Sequence, residues 1–321
     1  MADITASDIT ASLAREFHAE GFVVLAPRHL RPPDALVERV RDAALRKFDA
    51  HLRLASRRAL DLRQLKNAES LDGFYVRQGG RVDMRIAAQS FQSPRPVRAG
   101  SVDNAKRAED EKEEEEAELE VDAAPFHEMA QCWQELVDEI FRAESADSAS
   151  GAATTATAPV THRLEYIGCV VARPGDADQN WHLDGVHRNL LAHEKADRLN
   201  VFVPLVDLAD KRVGGTEMKR RSHFRAPSAG GAAAFGSYAH LESVTHRVAA
   251  GTPIVMDYRV WHRGLANASD AVVRPLLYFK YAAQAPSSVT PGTGKRPVAT
   301  DAELKQQQKS KKRVVLTHVA K

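Results

Sequence analysis

A chain of 321 residues with 43% hydrophobic and 27% charged side chains can bury a sizeable core, in one large domain or two small ones. Its 45 Lys and Arg nearly balance 43 Asp and Glu, so a net charge of +2 gives no argument for a nucleic-acid or acidic-surface partner. No run approaches the about 20 apolar residues that span a bilayer, and two cysteines, Cys132 and Cys169, argue against a disulfide framework. An intracellular, soluble protein is expected, cytoplasmic by default and with organelle or nucleus left open. The start, Met1 to Ser7, lacks the basic and apolar regions of a secretory signal.

Asp-Ile-Thr-Ala-Ser occurs twice in residues 3 to 12 and leads into a helix holding Leu13 and Phe17. Gly21 to Leu25 reads as a strand bounded by Gly and Pro27. A helix then begins at Asp34, with Leu36, Val37, Val40, Ala44 and Phe48 on one face. The stretch Ser93 to Asp122 carries the run Glu109 to Glu116, whose like charges bury nothing, and is expected to be a disordered or solvated insertion. Met129, Cys132, Trp133, Leu136, Val137, Ile140 and Phe141 recur at three-and-four spacing and predict one further helix. An Ala/Ser/Thr-rich linker follows at 148–159.

From His162 the pattern becomes β. Leu164, Tyr166, Val170 and Val171 form one run, and Leu199, Val201, Val203 and Leu205 alternate strictly. Pro253 to Met256 and Leu276 to Tyr281 are further short runs, which together suggest a sandwich or jelly roll. Residues 1–284 are expected to form a single domain. The tail 285–321, with Lys311-Lys312-Arg313, is expected to be flexible.

The chemistry concentrates in Gln179-Asn180-Trp181-His182-Leu183-Asp184 with distant His262 and Arg274. On an extended segment His182 and Asp184 leave the same face. With one more imidazole they supply the two-His-one-carboxylate set of non-haem Fe(II) oxygenases. A fixed guanidinium one strand later suits a dicarboxylate co-substrate such as 2-oxoglutarate, because its planar fork meets a carboxylate through two hydrogen bonds. Blander readings exist: a His–Asp hydrogen bond at a strand end, a capped loop histidine at 262, and an exposed Arg274 or one paired with Glu217. His18-Ala19-Glu20 and His240-Leu241-Glu242 share the spacing but rank below His182. His187 and His193 read as rim or surface.

The chain resembles the phytanoyl-CoA dioxygenase-like branch of the Fe(II)/2-oxoglutarate dioxygenases. The resemblance runs through Arg15 to Phe22, Pro174-Gly175, Gln179 to Gly185, Gly214-Gly215-Thr216-Glu217, His262-Arg263-Gly264 and Arg274-Pro275. It implies a mainly β fold with flanking α-helices, a cupin-like double-stranded β-helix (jelly roll) with the metal inside one open end. It implies His182, Asp184 and His262 as catalytic metal ligands, Arg274 on 2-oxoglutarate, and O2 as the second co-substrate. Some relatives place a hydroxyl two residues after the distal histidine. Gly264 stands there in this chain, so Gln179 or Thr216 is expected to supply the missing hydrogen bond.

A carboxylate at Asp184 favours hydroxylation over halogenation, with succinate and CO2 released from the keto acid. The implied substrate is a small or lipid-like molecule. Arg220-Arg221, where relatives have a Pro-Gly turn, form either a basic rim attracting an anionic substrate or a solvated loop. The rival functions are a cupin-type metal enzyme that does not use 2-oxoglutarate, and a non-catalytic interaction protein with a vestigial pocket.

Overall fold

A computed structural model describes residues 5–62, 70–71, 73–88, 119–146, 161–187, 193, 195–224 and 238–284. The linker 148–159 and the tail 285–321 lie outside them. So does the expected insertion Ser93–Asp122 up to residue 118, beyond which Leu119 is buried and its carbonyl accepts from Lys47 Nζ (2.5 Å).

Helix α1 (Ala6–Glu20) starts at Thr5, whose hydroxyl accepts from the backbone N–H of Asp8 while the Asp8 carboxylate takes the Thr5 N–H, a reciprocal cap. It stops at Gly21, left-handed at φ 87°, whose N–H reaches the Phe17 carbonyl. A side chain there would also meet His223 Nδ1 at 2.5 Å, so glycine is required twice over. Strand β1 (Phe22–Val24) follows, then α2 (Asp34–Arg57), whose buried face includes Leu36, Val37, Val40, Ala44, Phe48 and Leu54. The expected single helix around Trp133 is two: α3 (Ala124–Gln131) and α4 (Gln134–Ala146). The apolar stripe runs through the break because both halves face one core. The Cys132 N–H turns back to Met129 O in a tight i−3 contact that ends α3.

The strands β2 (Ser70–Leu71), β3 (Phe74–Val76), β4 (Val82–Ala88), β5 (Thr161–Ala172), β6 (Arg198–Pro204), β9 (Ile254–Asp257) and β11 (Arg274–Gln284) join β1 in one antiparallel sheet, ordered β1-β9-β6-β11-β5-β4-β3-β2. The strands β7 (Thr216–Lys219), β8 (Ser243–Thr245) and β10 (His262–Gly264) make a second, ordered β10-β7-β8. The architecture is a mainly β jelly roll with flanking helices. Three of its strands, β2 to β4, lie between α2 and His162, where the sequence reading places none, whereas the strand expected at Gly21 to Leu25 is β1.

Period-two alternation divides the large sheet into two faces. Leu277, Phe279 and Tyr281 of β11, Leu199, Val201 and Val203 of β6, and Cys169 and Val171 of β5 are buried with the helices in the main core. Fully burying side chains of this size stabilises by about 1.5–3 kcal/mol each. Trp133 completes this layer, its indole N–H donating to Tyr281 Oη (3.1 Å), so its polar group enters the core with a partner. The intervening residues of the same strands face the second sheet. A cavity of about 390 Å³ lies there, reached by Arg274, Leu276 and Tyr278 of β11, Asn200 and Phe202 of β6, and Thr216, His262 and Gly264 of the small sheet. Among the described residues no helix is long and apolar enough to cross a membrane.

Candidate metal centre and its cavity

The segment after β5 turns at Gly175 (φ 86°) and returns extended beside β10. Gln179 N–H donates to Gly264 O (2.9 Å), and His182 and His262 exchange both backbone hydrogen bonds in a single antiparallel bridge. Opposed residues of such a pair project to the same side. The two imidazoles accordingly lie with ring centroids 4.4 Å apart.

Asp184 adds the carboxylate. One of its oxygens is 4.0 Å from His182 Nε2, the other 3.8 Å from His262 Nε2. One ligand atom from each of the three residues lies within 4.8 Å of the others, a set able to hold a metal ion. Each imidazole contacts a backbone carbonyl through Nδ1: His182 to Asn180 O (2.8 Å) and His262 to Val260 O (2.9 Å). Those contacts fix the tautomer with the proton on Nδ1 and leave both Nε2 lone pairs facing the carboxylate, the outer hydrogen bonding expected of metal-binding histidines. Burial lowers the pKa of His262, which keeps it neutral. Asn200 Nδ2 donates to Asp184 Oδ2 (2.7 Å) and orients the carboxylate.

Arg274 is 5% exposed, which removes the reading of an exposed strand residue. Nor does it pair with Glu217, whose carboxylate is taken by Arg263 Nε (2.7 Å). Its guanidinium lines the cavity and donates to Val213 O (2.7 Å) and Leu265 O (3.0 Å). Burial, then the neighbouring charge of Arg81, lowers its pKa to about 9. Gly214, at φ 81°, leaves the room it needs, since a side chain there would stand 2.2 Å from Arg274 Nη1.

Gln179 and Thr216 both line the cavity. Gln179 Oε1 accepts the Gly264 N–H (3.0 Å), and Thr216 opposes Gly264 across β7 and β10. The rest of the wall was not foreseen from sequence. Arg77, Arg81 and Asp83 come from β4 and the turn before it, Tyr166 from β5, and Tyr258 from the turn after β9. Tyr278 lies over Gly168, where no side chain fits, and donates to Asp83 Oδ1 (2.8 Å); Asp83 also accepts from Arg77 Nε (2.9 Å). Phe202, Val170 and Leu276 form the apolar part.

Arg220 and Arg221 do not line the cavity. Arg220 is 3.1 Å from Glu20 and 3.4 Å from Glu242, and Arg221 is 3.8 Å from Glu20, so these cations are drawn to α1 and away from a substrate rim. His193 stands outside the cavity too, against Phe224 (4.5 Å) and His223 (5.5 Å).

The family model for phytanoyl-CoA dioxygenase (PhyH) matches residues 17–275. No curated protein matches the chain. Among solved structures, AviO1 from Streptomyces viridochromogenes Tue57 is 18% identical over 92% of this chain and 100% of its own, with TM-score 0.43. EvdMO1 is 14% identical over 87% of this chain and 50% of its own, with TM-score 0.50. The epimerase SnoN, in complex with Fe3+, alpha ketoglutarate and nogalamycin RO, is 16% identical over 91% and 94%, with TM-score 0.49. Of these three, EvdMO1 alone reaches a TM-score of 0.50, and at 14% identity it speaks to the fold alone.

Proposed function

The chain belongs to the phytanoyl-CoA dioxygenase family, and from that premise we propose that it is an Fe(II)- and 2-oxoglutarate-dependent dioxygenase that hydroxylates a small or lipid-like molecule. The observation that carries the reading is the convergence of His182 Nε2, His262 Nε2 and the Asp184 carboxylate in a cavity that also holds the buried Arg274. Two imidazoles and one carboxylate suit Fe(II), and they leave coordination positions open. When bound, the iron supplies the redox chemistry by which O2 and the keto acid oxidise substrate, with succinate and CO2 released.

The chain's own part is positioning. His182, Asp184 and His262 hold the metal, Asn200 aims Asp184, and Arg274 takes the distal carboxylate of 2-oxoglutarate through its fork. Phe202, Val170 and Leu276 give the cavity an apolar wall against which the substrate would pack. Tyr166, Tyr258 and the Asp83–Tyr278–Arg77 group offer it polar contacts. A volume of about 390 Å³ suits a small molecule or one end of a longer one. Because Asp184 keeps the carboxylate position filled, we assign hydroxylation over halogen transfer.

Anaerobic Fe(II) titration, followed in air by a succinate-release screen over acyl-CoAs, free acids, amino acids and alkaloid-like compounds, tests the reading. One iron per chain and succinate formation dependent on 2-oxoglutarate are expected. Iron binding with no affinity for 2-oxoglutarate would instead favour a cupin-type metal enzyme that does not use it.

A further inference from the structure

Arg81 is 1% exposed, and its Nε and Nη1 have no hydrogen-bond partner among the described residues, although it lines the cavity. A buried guanidinium with unmet donors is costly. Arg81 stands just before β4, and its Nη2 donates to the Leu265 carbonyl, which also accepts from Arg274 Nη2 (3.0 Å). The two guanidiniums therefore sit side by side on one oxygen.

The nearby carboxylates Asp176 and Asp178 attract both cations but spend their hydrogen bonds on other groups. Asp176 accepts the Arg173 N–H (2.7 Å), and Asp178 accepts the Ala266 N–H (2.5 Å) and lies 3.5 Å from Arg263. Burial lowers the pKa of Arg81 to about 10, against the pull of Asp176 and Asp178. Two cations this close, both buried, call for an anion between them.

Gly264 explains how both fit. A Cβ there would stand 2.8 Å from Arg81 Nη1 and 2.7 Å from Gln179 Oε1. A residue bearing a hydroxyl at 264 would displace Arg81, and glycine admits it.

We propose that Arg81 is a second guanidinium for the distal carboxylate of the keto acid, filling the place of the hydroxyl that this chain lacks at Gly264. This deepens the reading of the cavity as a 2-oxoglutarate site and rests on it. Arg274 and Arg81 together present unshared N–H donors to the two carboxylate oxygens. The arrangement selects a dicarboxylate over a monocarboxylate more strongly than one guanidinium would, because a ligand without the distal charge leaves both cations unpaired.

The test uses the full chain loaded with Zn(II), which cannot turn over, and measures binding by calorimetry of 2-oxoglutarate and of oxalate. Oxalate can chelate the metal but has no distal arm. Arg81→Met should weaken 2-oxoglutarate by about tenfold or more, the loss of a charge-assisted hydrogen bond, while oxalate and Zn(II) bind as in the wild type. Equal weakening of both ligands would mean a merely structural role and overturn the assignment, as would unchanged 2-oxoglutarate affinity. Should Arg81→Met fail to fold, Arg81→Lys carries the same comparison, since it keeps the charge but loses the fork. If the wild-type protein binds oxalate and not 2-oxoglutarate, the underlying reading of the site fails, and that result is distinct from a failure of Arg81 alone.

Discussion

His182 and His262 lie opposite each other in one isolated antiparallel bridge, exchanging backbone hydrogen bonds of 2.9 and 3.0 Å with their rings 4.4 Å apart. Eighty positions of chain separate them, so the closed fold sets their spacing and no local turn does. The bridge is made by main chain alone, and replacing either side chain leaves it intact. His182→Ala and His262→Ala should both lose Fe(II) binding and turnover, which a Co(II) absorption titration reads without oxygen. His182 has a side chain 38% exposed and its loss should leave the melting temperature nearly unchanged. His262, at 6%, should cost roughly 1–2 kcal/mol more as its cavity opens. Native metal affinity in either variant would remove it from the ligand set.

Asp184 is tested through itself and through Asn200, the only hydrogen-bond donor on its carboxylate among the described residues. Asp184→Gly should abolish hydroxylation and weaken iron binding while keeping both imidazoles, leaving a position that added chloride could fill. Asn200→Ala removes only the aim of the carboxylate, and a loss of about 10–100-fold in metal affinity is expected. Full oxidation by Asp184→Gly with native iron affinity would place the carboxylate ligand elsewhere. Asp178 and Glu217 are poorer substitutes, since Asp178 is held by Ala266 N–H and Glu217 by Arg263.

Arg274→Ala removes a buried fork that donates to Val213 O and Leu265 O as well as facing the cavity. The requirement for 2-oxoglutarate should rise by the equivalent of roughly 1.5–3 kcal/mol, the worth of a hydrogen bond to a charged group. Iron affinity measured without the keto acid should not move. A co-substrate dependence equal to wild type would assign the carboxylate to another residue.

His182, Asp184 and His262 stood out in the sequence because the chain has a single His-x-Asp, followed in order by a distant His and Arg, and β6 stood out because Leu199, Val201 and Val203 alternate cleanly. β4 did not stand out. There Val82, Met84 and Ile86 do alternate with Asp83 and Arg85, yet the run is short, follows Gly79-Gly80 and sends its polar residue Asp83 to the cavity, so the alternation alone was too weak a signal. The break between α3 and α4 was hidden for the opposite reason: the apolar stripe continues through Cys132 and Trp133 although the backbone does not. Arg81 had no sequence signal at all, since its role depends on the Leu265 carbonyl, 184 positions away, which it shares with Arg274.

The boundary of the charged stretch yields the last prediction. Its composition offers no apolar face through Glu118, but Leu119 is 7% exposed within the main core, and its carbonyl accepts from Lys47 on α2. Burial lowers the pKa of Lys47, with Glu120 pulling the other way, so the contact is a desolvated one. Excising residues 106–118 and closing the gap with a short Gly/Ser linker should therefore change stability little, because closure entropy varies slowly with loop length. Extending the same deletion through Glu120 removes a buried leucine and strands the Lys47 ammonium without its acceptor. Chemical denaturation should separate the two deletions by about 2–4 kcal/mol, in line with other buried Leu truncations. Leu119→Ala in the intact chain should account for most of that difference. Equal stability of the two deletions would mean that the chain at 119 contributes nothing to the core it is packed against.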